Sequence, residues 1–393
     1  MATGRAVGLL RRPGQPQQAT FLELFFDVVF VFALFRLNQW LFQNLTWSGT
    51  FRMLVLLLAL WWVWTRVAGA CDRFDPRRPP IQVLVIASML GILVMAAAVS
   101  EAFGKWGLAF AGAYVAIQLG VSAVLARLGR GDEAQRVFLK LLFWSGLSAV
   151  PWIAGAVTQG NARPALWTLA VVVDYMAIAL RLPTPGLGRL SRSELAFLGE
   201  HLAERFGQFF IIALGELILI TGLVLSANGF GVEHSAAILV YFATTVLLWR
   251  IYIYRAGELL VDAVAAAPDP LRLSIAATYS QPIMVASIVL TANCVDHVVG
   301  QPFGHVEPVW IAMIIGGPAL FLAGRGIFEY AVFARVSRNR LIGVLVLAAI
   351  SPAMIWAPRL VIASAAALVL AAVALSDAAR ARGRPPEPPS PPG

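Results

Sequence analysis

Long apolar stretches recur along almost the whole chain, and they limit its fold more than any other feature. A helix needs about 20 consecutive apolar residues to cross a bilayer. Windows of that length predict twelve spans, near residues 20–42, 51–68, 81–102, 106–127, 138–158, 164–182, 197–226, 236–257, 273–297, 308–332, 341–357 and 359–378. The charged fraction of 13% agrees with this pattern, because soluble domains contain about 25% charged residues. We therefore predict an all-α fold, a polytopic integral membrane bundle of about 12 transmembrane helices.

The last two spans are the exception in this pattern. Pro352 and Pro358 lie close together near the junction between them. The two spans therefore either both cross the membrane or together form a re-entrant hairpin.

The order of the spans predicts two apolar halves between two polar ends. Residues 1–19 are expected to form a flexible cytoplasmic arm, and residues 379–393, which are rich in proline, a disordered tail. Residues 20–182 and 183–378 hold six spans each. Spans 1, 2 and 3 resemble spans 7, 8 and 9 in the same order, as in ELFFDVVFVFAL from Glu23 and ERFGQFFIIALGEL from Glu204. Two parallel six-helix repeats would explain this order, and chance resemblance among apolar helices is the alternative.

The basic residues are distributed unevenly between the loops. When the N-terminus is placed inside, most of the 30 Lys and Arg residues, Arg66 and Arg340 among them, fall in loops predicted to be cytoplasmic. This is the distribution that the positive-inside rule requires. The net charge of +9 therefore reflects topology, and we expect membrane lipids rather than nucleic acid as partners. Both termini are predicted to be cytoplasmic.

Cysteine and histidine are scarce in this chain. Cys71 and Cys294 are the two cysteines, and no group of cysteines and histidines has the spacing of metal ligands. We therefore expect neither a disulfide nor a metal site, and we assign no cofactor.

Charged side chains inside the predicted spans are the main candidates for function. Such a residue costs roughly 2.5 to 3.5 kcal/mol by insertion scales, so it usually faces a partner or a wet cavity. Glu23 and Asp27 are four residues apart in span 1 and so share one helix face. Glu23 fits a capping box with Thr20, which explains it without any function. Asp27 lies a turn deeper, where capping does not apply, and we predict that it faces a cavity or forms an ion pair.

Span 7 contains a second group of charged residues. His201, Glu204 and Arg205 lie near its predicted cytoplasmic end, although a histidine there is more often a satisfied interfacial residue than a ligand. Glu216 falls on the same stripe as Arg205, because eleven residues make about three helical turns. It lies nearer the midplane, where an unpaired carboxylate needs a proton or a bound partner. The other candidate binding residues are Asp174 in span 6, Arg250 in span 8 and Arg325 in span 10.

These acids and arginines nearly balance in number, which leaves a structural alternative open. Buried ion pairs can hold helices in register without any chemistry. The alternative is therefore an ion-pair network that joins two helical halves.

Glycines and a proline stand out in span 10. Gly316 and Gly317 precede Pro318, and we expect the three residues to interrupt the helix, as in the broken helices that line transporter sites. Gly324 and Gly326 are expected to permit close approach of a neighbouring helix.

Six stretches of this chain resemble the bacterial low temperature requirement A (LtrA) family. They are FLELFFDVVFVFAL from Phe21, RFDP from Arg73, MLGILVMAAAVSEAF from Met89, HLAERFGQFFIIALGE from His201, YSQPIMVASIVLTA from Tyr279 and GGPALFLAGRGIF from Gly316. The resemblance covers about residues 20 to 375 and implies a multi-pass protein of the bacterial cytoplasmic membrane whose biochemical activity is unsettled. It also implies that the characteristic charged positions of the family are Glu23, Asp27, His201, Glu204, Arg205 and Glu216. Gln281 and Arg250 depart from it, because members commonly have His and Trp at these places.

Three functions fit these residues. The leading hypothesis is a proton- or ion-linked carrier of a small or anionic solute, in which buried acids take up protons or a cation and arginines bind an anionic group. The second is a membrane-embedded enzyme acting on a lipid or isoprenoid, with Asp27 or Glu216 as general acid. The third is a structural or sensory role in the membrane.

Overall fold

The computed structural model describes residues 9–11, 19–191, 200–254 and 270–382. Within these ranges the chain forms twelve α-helices and no β-strand longer than an isolated bridge, so the predicted all-α fold is confirmed. The helices are α1 (Phe21–Gln43), α2 (Trp47–Arg73), α3 (Pro79–Ala98), α4 (Gly107–Leu128), α5 (Glu133–Val157), α6 (Ala162–Ala179), α7 (Glu200–Asn228), α8 (Val232–Tyr252), α9 (Pro270–Gly300), α10 (Pro308–Phe333), α11 (Arg338–Ile350) and α12 (Arg359–Ala381).

Most of these helices have the length and apolar composition of membrane spans. In the described part of the chain, 11 helices meet both criteria, and together they make this a multi-pass membrane protein. The helix outside that set, α1, has 23 residues and carries Glu23, Asp27 and Arg36. A helix of that length is long enough to cross a bilayer. That α1 crosses the membrane stays a prediction made from the sequence.

The last two predicted spans form two separate helices. A short 3₁₀ helix that contains Pro352 follows α11, and Pro358 is the N-cap residue of α12. Arg338–Trp356 and Arg359–Arg380 are each long and apolar enough to cross a membrane. Two spans are therefore favoured over a re-entrant hairpin.

The glycines and proline of α10 do not break the helix, and this prediction was wrong. The helix is continuous from Pro308 to Phe333 although Pro318 lies inside it. Gly317 instead allows close packing, because a Cβ atom there would lie 2.5 Å from the Oγ1 atom of Thr291 on α9. Gly324 has the same role, since its Cβ would lie 3.0 Å from side-chain atoms of Ile283 and Met284.

The chain divides into two compact units. The first comprises Met1–Arg205 and Asp269–Ile275, and the second comprises Phe206–Pro268 and Ala276–Gly393. The boundary therefore falls inside α7, just after Arg205. The prediction of two parallel six-helix repeats stays a prediction.

Packing inside each unit joins consecutive helices and also helices that are further apart in the chain. In the first unit α4 packs on α5 and α5 on α6, while α1 packs on α3. The largest buried side chains there include Trp61, Trp64, Trp152 and Trp167. In the second unit α8 packs on α12 and α10 on α11.

Part of the segment before α1 is tied to the end of α2. The amide of Asp75 donates to the carbonyl of Leu9, and the amide of Arg11 donates to the carbonyl of Arg73. The rest of the predicted arm before residue 19, and the predicted tail after residue 382, lie outside the described residues.

Candidate functional site

A fully buried ion pair between Asp27 of α1 and Arg205 of α7 is the centre of the candidate site. One oxygen of Asp27, Oδ1, lies 2.6 Å from the Nη2 atom of Arg205. The same oxygen accepts a hydrogen bond of 2.9 Å from the indole nitrogen of Trp64 on α2. The other oxygen, Oδ2, is buried and accepts no hydrogen bond from any residue that the structure describes. The carboxylate of Asp27 is therefore held firmly through one oxygen while the other has unused acceptor capacity.

Aromatic rings fix the position of this pair. Trp64 stacks on Trp61 with 4.8 Å between ring centroids, which orients the indole that donates to Asp27. The guanidinium of Arg205 lies 5.8 Å from the centroid of the Trp64 ring, within the range of a cation–π interaction. Thus α1, α2 and α7 each contribute one member of the group.

A second layer of charged groups lies one turn away along α7. His201 is fully buried and precedes Arg205 by four residues, so the two side chains share a face. Its Nε2 atom lies 3.0 Å from Oε1 of Glu23, and its Nδ1 atom lies 3.4 Å from Oδ1 of Asp72 on α2. An imidazole is thus placed between two buried carboxyl groups.

The capping box predicted for Glu23 is present. Its Oε2 atom accepts hydrogen bonds from the amide and the hydroxyl of Thr20, at 2.8 and 2.9 Å. Its Oε1 atom is the one that faces His201. Glu23 therefore both caps α1 and belongs to the charged cluster.

Arg11, which lies in the segment before α1, contacts both Glu23 and His201. Its Nη2 atom lies 3.3 Å from Oε2 of Glu23 and 2.9 Å from Nε2 of His201. An arginine nitrogen can only donate, so the contact with Arg11 needs a bare Nε2, whereas the contact with Glu23 needs a protonated one. The two contacts cannot both be hydrogen bonds at once, so the presence or absence of a proton on Nε2 decides which partner His201 binds.

The remaining predicted residue of this stretch is Glu204. It is half-buried and belongs to the first unit, next to Arg205 on α7.

Asp174 of α6 lies in a different group of side chains in the first unit. Its Oδ2 atom accepts a hydrogen bond of 2.6 Å from the hydroxyl of Tyr114 on α4 and a longer one of 3.5 Å from the indole of Trp152 on α5. Its hydrogen bonds thus come from α4 and α5 rather than from the helices around Asp27.

The other predicted residues belong to the second unit. Glu216 is fully buried, and neither of its carboxyl oxygens has a hydrogen-bond partner among the described residues. Arg325 is fully buried and donates to the backbone carbonyls of Ile251 and Tyr254, at 3.0 and 2.5 Å, so it caps the end of α8. Arg250 is half-buried, and its guanidinium lies 5.5 Å from the centroid of the Tyr254 ring.

Arg66 and Arg340, which we assigned to loops, are buried inside helices, and this assignment was wrong. Arg66 lies within α2 and donates to Gln118. Arg340 lies within α11 and forms an ion pair of 2.5 Å with Asp377 of α12. Arg66 lies near the end of the window 51–68, and α11 begins at Arg338, before the window 341–357, so both arginines were read as loop residues.

Asp72 and Asp377 are the acids that the sequence reasoning missed. Asp72 sits in a stretch with Arg73, Arg77 and Arg78, which has the composition of a loop. Asp377 is followed by arginines in the same way. No signal in the sequence marked either as buried.

The described residues hold no group of three or more His, Cys, Asp or Glu side chains that could bind a metal ion. Both cysteines, Cys71 and Cys294, are buried and free.

Comparison with known proteins identifies the family. Residues 18–375 match the family of the bacterial low temperature requirement A protein (LtrA). The chain is also 36% identical over 320 residues to the "Uncharacterized protein RA0937" of Rhizobium meliloti (strain 1021), which covers 80% of this chain and 78% of that protein. No solved structure matches the chain. A match over most of the length shows that this multi-pass membrane protein belongs to the LtrA family.

Proposed function

We propose that the protein is a proton- or cation-linked carrier of a small anionic solute, with Asp27 and Glu216 as the groups that take up and release the proton or cation. The observation that carries this proposal is the state of these two carboxyl groups. Both are fully buried, and within the part of the chain that the structure describes each has at least one oxygen without a hydrogen-bond partner.

Glu216 gives the strongest support. An ionised carboxylate without a partner is very costly in a medium of low polarity, so this side chain needs a proton or a bound cation. A purely structural carboxyl would be expected to have partners, because buried polar groups in native proteins nearly always do. Ionisable residues at such places in membrane proteins commonly mark proton or ion pathways.

Asp27 adds a carboxylate whose charge is already matched. The 2.6 Å contact with Arg205 neutralises it, while its bare Oδ2 atom leaves room for a proton or a cation. If Asp27 gains a proton, Arg205 loses its counter-charge and becomes available to an anion. Proton uptake and anion binding are then coupled through one pair of side chains.

His201 extends this coupling toward the end of the helix. Nε2 of His201 donates to Glu23 when it carries a proton, and it accepts from Arg11 when it carries none. A proton that reaches Asp27 from the layer of His201 would pass this imidazole, whose partner changes when Nε2 gains or loses a proton. The location and topology predicted from the sequence are part of this proposal. The protein lies in the bacterial cytoplasmic membrane, and both termini are cytoplasmic.

The Asp27–Arg205 pair by itself also fits the structural alternative, because a buried pair of this kind can fix the packing of α1 and α7. Glu216 separates the two interpretations, since it has no ion pair to contribute. The same two carboxyl groups would serve as acids in the enzymatic alternative.

The test is uptake of labelled anions into proteoliposomes with an imposed proton or sodium gradient. The wild type is compared with Asp27→Asn, Glu216→Gln and the control Glu101→Gln, which changes an exposed carboxyl group. We expect gradient-driven uptake to be lost in the first two variants and kept in the control. Uptake that stays equal to the wild type in both variants would overturn the proposal. Loss of folded protein in Asp27→Asn would leave Glu216→Gln to decide.

A further inference from the structure

A second polar group lies inside the first unit, where none of the functions above assigns a role. It comprises Arg66 of α2, Gln118 and Ser122 of α4, and Ser145 of α5. The side chains are buried, since Arg66 is 8% exposed and the other three are at most 2% exposed.

The hydrogen bonds inside this group fix it in place. The Nε atom of Arg66 donates to Oε1 of Gln118 at 2.7 Å, and its Nη2 atom donates to the hydroxyl of Ser145 at 3.3 Å. Side chains of α4 and α5 therefore hold the guanidinium of Arg66, which comes from α2.

Several hydrogen-bonding groups of the cluster are left open. Three polar atoms are buried and have no hydrogen-bond partner in the described ranges of the chain: the Nη1 atom of Arg66, the amide nitrogen of Gln118 and the hydroxyl of Ser122. Guanidinium and amide nitrogens are donors only, and the hydroxyl can donate as well. The open positions therefore favour a ligand that brings acceptors.

The positive charge of Arg66 also lacks a directly bound counter-ion. No carboxylate among the described residues forms an ion pair with it, and the nearby Asp174 already accepts from Tyr114 and Trp152. A buried guanidinium that no carboxylate contacts directly is costly, so the open side of Arg66 favours an anion.

The positions of the open groups are compatible with one ligand. Gln118 and Ser122 are four residues apart on α4 and therefore share one helix face. Gln118 is in turn bound to Arg66, so Ser122 lies one helical turn from a residue that contacts the guanidinium, and we call these three residues the polar patch. A planar guanidinium beside further donors matches the geometry of carboxylate and phosphate oxygens.

We propose that Arg66, Gln118 and Ser122 form a buried binding site for a small oxyanion, a carboxylate or a phosphate. This inference rests on the proposed carrier function and names its substrate class. The guanidinium supplies the charge, and the amide and hydroxyl select ligands that offer several acceptor oxygens.

The test is equilibrium binding to the purified full-length protein in nanodiscs of uncharged lipid, which needs no transport. Sodium acetate and sodium phosphate are titrated by calorimetry, with sodium chloride as the comparison anion. We expect saturable binding of at least one oxyanion. Its affinity should fall by about tenfold or more in Arg66→Gln and Gln118→Leu, and less in Ser122→Ala, because each lost hydrogen bond to a charged group has roughly that effect.

Arg163→Gln is the matched control. Arg163 is also a buried arginine of the first unit, but it donates to backbone carbonyls of Gly155, Ala156 and Thr158 and has no role in the patch. Its replacement should leave the oxyanion affinity unchanged. If Arg66→Gln does not fold, Gln118→Leu and Ser122→Ala still test the site.

Three results would overturn the inference. They are an absence of oxyanion binding to the folded wild type, binding that is unchanged in Gln118→Leu and Ser122→Ala, or binding only when phosphatidylglycerol replaces the uncharged lipid, which would indicate a lipid head group.

The carrier proposal fails in a different way. An Asp27→Asn protein that still binds acetate or phosphate but transports as well as the wild type contradicts the carrier mechanism and leaves this site intact.

Discussion

The carboxylate of Asp27 and the guanidinium of Arg205 form a buried 2.6 Å ion pair between residues 178 positions apart in the chain. One partner comes from α1 and the other from α7, and the indole of Trp64 on α2 donates to the same carboxylate oxygen. Three helices thus meet at one charged group. The two carboxylates of α1, Glu23 and Asp27, are therefore matched by basic groups inside the protein.

The first prediction concerns the energetic coupling of this pair. Arg205→Met should destabilise the protein by about 3 to 5 kcal/mol, because it leaves the Asp27 carboxylate buried without its counter-charge. The double variant Asp27→Asn with Arg205→Met should recover part of that loss, since neither charge then remains. Chemical unfolding of the two single variants and the double variant checks this. Effects that simply add would show that the two side chains do not interact.

The second prediction separates function from stability at Glu216. Replacing this carboxyl group with leucine should increase the free energy of unfolding by about 1 to 3 kcal/mol, because a buried polar group without a partner is removed. Glu216→Leu should at the same time abolish gradient-driven uptake. Thermal unfolding and uptake are measured on the same preparation. A marked loss of stability in Glu216→Leu would mean that the carboxyl has a structural partner.

The third prediction tests the close packing of α9 and α10. Gly317→Ala should destabilise the protein by about 1 to 3 kcal/mol, because the new Cβ atom would lie 2.5 Å from Oγ1 of Thr291. Gly316→Ala is the matched control, since its Cβ would meet no atom within 4 Å. The control should be neutral or slightly stabilising, as alanine favours a helix more than glycine does. Equal melting temperatures for the two variants would contradict the packing.

The fourth prediction is a pH dependence at the loop between α4 and α5. Burial alone would raise the pKa of Asp132, but hydrogen bonds from the amide of Ala134 and the guanidinium of Arg73 outweigh it, so the pKa lies below its ordinary value. The stabilisation is therefore fully present above the pKa of the unfolded chain and is lost as the pH falls through the lower pKa of the folded protein. The side chains are partly exposed, so the effect should be small.

Asp132→Asn provides the measurement for this loop. The variant should melt at a lower temperature than the wild type near neutral pH, and the difference should shrink as the pH is lowered toward about 3. A difference that grows in acid would show that the pKa of Asp132 moves in the opposite direction.

Much of the fold follows from the distribution of apolar residues. The twelve windows correspond to twelve helices because burial in lipid requires long runs that satisfy their own backbone hydrogen bonds. The ends of the helices were less predictable. Arg66 lies near the end of the window for α2, and Arg340 lies just before the window for α11. The partners that bury them, such as Gln118 and Asp377, come from other helices.

The candidate site was predictable in part for the same reason. Asp27 stood out because it is charged within an apolar stretch, and the sequence predicted a cavity-facing or ion-paired role for it. The identity of its partners was not predictable, since the sequence does not tell which helices are neighbours. Asp72 was missed because it lies in a stretch with the composition of a loop.

Infrared difference spectroscopy of the protein in lipid is the most direct test that Glu216 takes up and releases a proton or cation during transport. Spectra are recorded on addition of a transported anion and on a change of pH, in the wild type and in Glu216→Gln. We predict a carboxyl band that changes on both treatments and is absent from Glu216→Gln. Transport that proceeds while the Glu216 band stays constant under both treatments would contradict the proposed role of this carboxyl.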